Sequence, residues 1–244
     1  MNYIDGFVIP VPSANKQQFI DHADEMDRLF LDMGAKRVVE GWGDNVPEGK
    51  VTDFAGAVNL EDGETVCFSW VEWPDKETRG AAFAKMHEMM ETDPRFDPTK
   101  NPMPFDGKRM IYGGFSVMVD EGERSTDGYM QGFVIPVPED KQEAYRQLEL
   151  TSWPYFQKLG ALRVVAGWQD DVPEGKVTDF FRTVKAEKSE RVVFAFMEWP
   201  SREICEAARE KMMADKDMPM PDEMPFDGMR MIYGGFAPVV VVEK

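Results

Sequence analysis

The sequence predicts an α+β protein made of two ferredoxin-like repeats in tandem, each β-α-β-β-β-α-β, packed sheet to sheet as a pseudo-twofold barrel. Three observations carry this. The chain repeats itself almost end to end. Both repeats run through the same alternation of strand-type and helix-type segments. A sheet with helices on one face only must cover its other apolar face, and a second copy in the same chain can do so.

The duplication is direct. YIDGFVIPVP at Tyr3 to Pro12 returns as YMQGFVIPVP at Tyr129 to Pro138, and VPEGKVTDF at Val46 to Phe54 returns unchanged at Val172 to Phe180. The offset is 126 and holds through Glu72-Trp73-Pro74 and Glu198-Trp199-Pro200. It falls to 121 at MPFDG, Met103 to Gly107 against Met224 to Gly228, so the second repeat is five residues shorter in the preceding Pro-rich loop. Each repeat ends in RMIYGGF, at Arg109 to Phe115 and Arg230 to Phe236. The period is far too long for a solenoid, so each repeat is domain-sized. The expected division is 1–120, a polar linker 121–128 and 129–244.

Within each repeat a β-rich run opens the unit and stops at Pro12 or Pro138. In the helix that follows, Phe19, Ala23, Met26, Phe30 and Met33 form one apolar stripe. Gly34 and Gly160 stand where a C-cap is expected. In repeat two, Asp140 and Glu143 have capping-box spacing, and Pro154 predicts a kink or break near Trp153. Strands are expected over Lys36 to Trp42 and Leu162 to Trp168. In repeat one, two further strands at Val51 to Asn59 and Thr65 to Trp73 are joined by an Asp62-Gly63 hairpin turn. Asp75 and Ser201 read as N-caps of a second helix. A strand from Met110 or Met231 closes each unit. Gly6 with Gly113-Gly114, and Gly132 with Gly234-Gly235, fall in neighbouring strands, where glycine marks a bulge or the close approach of a ligand or another backbone.

Charge bounds the partners. With 45 acidic and 28 basic residues the net charge is −17, which disfavours nucleic acid and anionic membrane surfaces. No apolar run is long enough to span a bilayer, and the first residues carry no secretory signature. Cys67 and Cys205 suit two reduced, buried thiols rather than a disulfide or a metal site. A cytoplasmic protein is expected. His22 and His87 correspond to Leu148 and Met213 in the other repeat, which has no histidine, so no His-dependent triad can occur in both. No HExxH, CxxC, P-loop or GxGxxG is present, and no cofactor or metal is implied.

The chemistry-bearing residues common to both repeats are Trp42 and Trp168, Lys50 and Lys176, Thr52 and Thr178, Asp53 and Asp179, Asp106 and Asp227, and Arg109 and Arg230. One reading is a pocket in which Lys and Arg hold an anionic or carbonyl group beside a Trp wall and an Asp base. The other is structural: Asp–Arg pairs pinning loops, a Pro-Phe-Asp-Gly turn, and Trp as core. Both remain open on the residues alone.

GWGDNVPEGKVTDF (Gly41 to Phe54) and NPMPFDGKRMIYGGF (Asn101 to Phe115) resemble the signatures of the YbaA-like family of bacterial domains of unknown function, and the likeness covers nearly all of both repeats. The resemblance implies the dimeric α+β barrel superfamily, with single-domain members pairing as homodimers and the tandem form doing so internally, as a monomer. The family pattern has two arginines after Thr-Asp-Phe. Repeat two keeps only Arg182 and repeat one has Ala55-Gly56, so a ligand touched by that pair would see unequal sites. The functional expectation is a small-molecule-binding protein or cofactor-independent enzyme. The alternative is a non-catalytic interaction or regulatory module.

Overall fold

The computed structural model describes residues 2–215, 218, 221 and 223–244. Eight antiparallel strands close into one barrel. Repeat one supplies β1 (Tyr3–Pro12), α1 (Lys16–Asp32), β2 (Arg37–Asn45), α2 (Phe54–Ala57), β3 (Glu64–Trp73), α3 (Lys76–Met89) and β4 (Ile111–Gly122). Repeat two supplies β5 (Tyr129–Pro138), α4 (Gln142–Leu159), β6 (Arg163–Asp171), α5 (Phe180–Thr183), β7 (Glu190–Trp199), α6 (Arg202–Ala214) and β8 (Ile232–Glu243). The strand order is β1-β3-β2-β8-β5-β7-β6-β4, so the repeats join at two equivalent seams, β2 with β8 and β4 with β6. Closure leaves neither repeat with an open sheet edge. Among the described residues, no helix is long and apolar enough to cross a membrane.

Alternation along each strand divides the molecule into layers. Val66, Phe68 and Trp70 of β3 point into the barrel with Val192, Phe194 and Phe196 of β7, while Val71, Trp73 and their counterparts face the helices outside. Equivalent rings meet at the centre: Phe68 stacks on Phe194 at 4.5 Å between centroids, and Trp70 on Phe196 at 3.9 Å. The glycines explain the fit. Gly6 pairs with Gly113 and Gly132 with Gly234. A Cβ on Gly6 would stand 2.5 Å from the Phe194 ring, and one on Gly132 2.8 Å from Phe68. Each repeat thus carries a glycine where the other repeat's phenylalanine lies, and the close approach is protein against protein rather than ligand.

One end of the barrel holds a buried ionic ring. Arg37 reaches Glu198 at 2.8 Å and Arg163 reaches Glu72 at 2.7 Å, with cross-links of 3.5 and 3.2 Å inside each repeat. Asp120 and Arg124 extend it to the rim. At the other end α2 and α5 enter as plugs, Phe54 against Phe68 and Phe236, Phe180 against Phe115 and Phe194.

Several expectations need correcting. Val51 to Asn59 is not a strand. Asp53 caps α2 by accepting from the Gly56 N–H, the turn ends at left-handed Asn59 (φ 48°), and Phe54 is withdrawn into the barrel. Each repeat is therefore four-stranded, and the turn at Asp62-Gly63 leads into β3 without forming a hairpin. Asp140 lies in a 3₁₀ turn and caps nothing; α4 begins after Lys141. It runs unbroken through Pro154, held by the burial of Ser152 and Trp153. β4 continues to Gly122, pairing with Arg163, so the connection between repeats starts two residues later than read. The caps at Asp75, Ser201 and Gly160 form as expected.

Candidate functional site

The residues singled out from sequence occupy two environments. Asp53 accepts from the N–H groups of Gly49 and Gly56, and Asp179 from those of Gly175 and Arg182, so each closes its own PEGKVTD loop and starts a short helix. Arg182 bonds the Gly175 carbonyl and Asp179, inside the same loop. Arg109 stands at the loop's other end. It pairs twice with Glu64 at 2.7 Å, meets Asp106 at 2.9 Å and donates to the carbonyl of Asn59, the left-handed residue. Arg230 does the same with Glu190, Asp227 and the carbonyl of Lys185, also left-handed. These arginines hold Glu64 and Glu190 below the usual carboxylate range. Lys50 and Lys176 are exposed on the loops. Trp42 packs under α1 against Phe19, with the Lys16 ammonium 5.0 Å from its ring, and Trp168 packs partly buried in the corresponding layer of repeat two. The two loops also bond each other across the barrel end, Thr52 to the Thr183 carbonyl at 2.6 Å and Thr178 to that of Ala57. The residues common to both repeats therefore tie loops and plugs together.

The barrel interior is filled by apolar side chains, which leaves the layer between sheet and helices as a place for a cavity. Such a cavity of about 250 Å³ opens in repeat two between β5, β6, β7 and α4 with α6. Its walls include Phe133, Leu148, Phe156, Met212 and Met231 beside three polar residues, Gln131, Ser152 and Glu149. None of the residues singled out from sequence lines it. Apolar cavities of about 150 Å³ already admit benzene, so this space is large enough for a small organic molecule.

Glu149 is the acid of the cavity. It accepts a hydrogen bond from the Tyr145 hydroxyl, and burial of its carboxyl pushes its pKa up, with the tyrosine bond opposing. An acid so placed holds its proton closer to neutrality than an exposed carboxylate. Tyr145 is fully buried and is pushed well up by burial and then by the neighbouring Glu149 charge. The signal for Glu149 was present in the sequence. At offset 126 the apolar stripe Phe19, Ala23, Met26, Phe30 becomes Tyr145, Glu149, Ser152, Phe156, placing an acid on the face that must be buried. Repeat one places other acids in this layer: Glu40 on β2, bonded by Ser69, and Asp27 on α1. His22 bonds Asn101 at 2.8 Å, and His87 is exposed on α3.

The closed antiparallel barrel with helices outside defines an α+β barrel protein. Its fold matches an anthrone oxidase-like protein (TM-score 0.56, 12% identity, 99% of this chain and 93% of that one) and a candidate monooxygenase of Fusobacterium nucleatum (TM-score 0.56, 9% identity, 100% and 94%). At these identities the likeness concerns the fold alone. The chain belongs to the family of proteins of unknown function DUF1428, whose model matches it twice, over residues 2–107 and 128–228. It is similar to the uncharacterized protein YbaA of Escherichia coli K12, 52% identical over 113 residues, which is 46% of this chain and 97% of that protein. A single-repeat relative thus corresponds to half of this chain.

Proposed function

We propose that this protein binds a small molecule in the sheet–helix cavity of repeat two and acts on it as a cofactor-independent enzyme, with Glu149 as the proton-transfer group. The observation that carries this reading is a carboxylic acid of raised pKa on the wall of a mostly apolar cavity of about 250 Å³. An acid poised nearer to neutrality can give or accept a proton where an ordinary carboxylate is spent. Its counterpart is Ala23, so there is one such site per chain. In this reading each half is a ferredoxin-like unit, and the chain is a monomer that encloses in itself the pairing that single-repeat relatives make between chains. The two buried free thiols suit the cytoplasm.

Titration with 2-naphthol, followed by its fluorescence, tests the cavity. Saturation at one molecule per chain is expected for the wild type. Ser152→Phe, which fills the cavity, should abolish it at unchanged thermal stability. Glu149→Gln should keep binding and flatten its pH dependence. Equal binding to wild type and Ser152→Phe would remove the cavity as the site. That outcome would favour an interaction module.

A further inference from the structure

The two repeats differ beside this cavity in a way that changes charge pairing. In repeat one the Asp5 carboxylate accepts from Trp73 Nε1 at 2.8 Å and from Arg79 Nε at 2.9 Å. The guanidinium goes on to Asp171 and lies 4.5 Å from the Phe83 ring centroid. The offset of 126 puts Gln131, Trp199, Cys205 and Arg209 in place of Asp5, Trp73, Arg79 and Phe83. Acid and base are both lost, and a new base enters one helical turn later.

The loss leaves a donor stranded. Trp199 is 2% exposed and its Nε1–H has no hydrogen-bond partner. A buried indole N–H without an acceptor is costly, so an acceptor is wanted there. Space is present. A void of about 20 Å³ lies between Gln131, Trp199, Cys205 and Arg209, and a second of about 40 Å³ continues outward past Tyr129 and Tyr233. The first void shares Gln131, Phe156 and Met212 with the larger cavity and Gln131, Cys205 and Arg209 with the outer one, so the three lie side by side. At the outer mouth, the acids Asp44 and Glu206 are both held by Arg202, at 2.9 and 2.8 Å. Arg209 makes no ion pair among the described residues, so its charge is available.

We propose that repeat two binds an amphipathic monocarboxylic acid, its carboxylate taking the place that Asp5 occupies in repeat one, between Trp199 Nε1 and Arg209, with its apolar body in the cavity. The proposal rests on the cavity being the ligand site. Repeat one is the template: it shows an indole N–H and a guanidinium holding a carboxylate within this fold. It also excludes a second molecule, because its own Asp5 fills the position. A charged acceptor makes the stronger bond to such donors, which separates a carboxylate from an alcohol of the same length.

The test titrates the full chain, with ¹⁵N-labelled indoles, with octanoate and with 1-octanol. Octanoate should saturate at one per chain and shift the Trp199 Nε1–H resonance, leaving that of Trp73 in place, and 1-octanol should bind at least tenfold more weakly. Trp199→Phe should weaken octanoate about tenfold and leave 1-octanol unchanged. Gln131→Asp combined with Cys205→Arg rebuilds a pair the fold already accommodates in repeat one, and should abolish octanoate binding. Equal affinity for the two probes, or an unmoved Trp199 resonance at saturation, would overturn the carboxylate position while leaving the cavity standing. Binding of neither probe would overturn both.

Discussion

Glu40 offers a direct measurement of what burial costs in this fold. Its side chain leaves β2 on the helix-facing side, the residue is 8% exposed, and the Ser69 hydroxyl bonds to it. Asp27 of α1, 3% exposed, has one carboxylate oxygen without a partner and is pushed well up by burial and then by the Glu40 charge. Burial pushes Glu40 from 4.5 up to about 7. The sign follows from proton binding. Between pH 4.5 and 7 the folded state holds a proton that the unfolded state has released, so stability falls as pH rises through that window. At about 1.4 kcal/mol per unit, a window of roughly 2.5 units amounts to about 3.5 kcal/mol in full, of which about 3 kcal/mol falls between pH 4.5 and pH 8. Glu40→Gln cannot ionise, and its amide oxygen can still accept from Ser69. The stability difference between variant and wild type should therefore move by about 3 kcal/mol in the variant's favour between pH 4.5 and pH 8. Urea denaturation across that range measures it with Asp27→Asn in both proteins, since Asp27 is coupled to the Glu40 charge, and taking the difference then cancels the titrating groups that Glu40 does not touch. A difference that stays flat, or moves toward the wild type, would refute the assignment of a held proton to Glu40.

Arg37→Met should cost about 3–5 kcal/mol, because it strips Glu198 of its 2.8 Å partner inside the barrel, and adding Glu198→Leu should restore much of that. Thermal denaturation of the single and double variants reports both. Asp53→Ala removes a helix cap and should cost about 0.5–2 kcal/mol, Asp53→Asn much less. Neither should alter 2-naphthol binding, since Asp53 does not line the cavity, and a loss of binding in Asp53→Asn would return that residue to the site.

Much of the architecture was legible because it rests on local chemistry. Asp75 and Ser201 announce helices through their own side chains, and Gly160 ends one with a φ of 107°. The Val51 to Asn59 segment misled for a physical reason. Its Val, Thr and Phe favour strands, but the Asp53 cap and the burial of Phe54 in the barrel outweigh that preference. The candidate site was read from residues shared by both repeats, and sharing selects what holds the fold. Arg109 and Arg230 are shared because each clamps a left-handed residue to a strand. The cavity acid was overlooked because it occurs once.

The sequence by itself determined that the chain is duplicated, in what order most elements follow, where the helices are capped, and that no familiar catalytic motif is present. These depend on neighbours along the chain or on direct comparison of its halves. Only the tertiary structure decided what each inward-facing residue meets. That Gly6 makes room for Phe194, that Arg37 is neutralised by Glu198, and that the cavity lies beneath the helices of repeat two are facts about pairs far apart in sequence. The same holds for the Trp199 N–H, whose lack of an acceptor is known only once every side chain around it is in place. Burial and pairing of this kind belong to the closed barrel, since it is closure that brings the two repeats' inner faces and edges together.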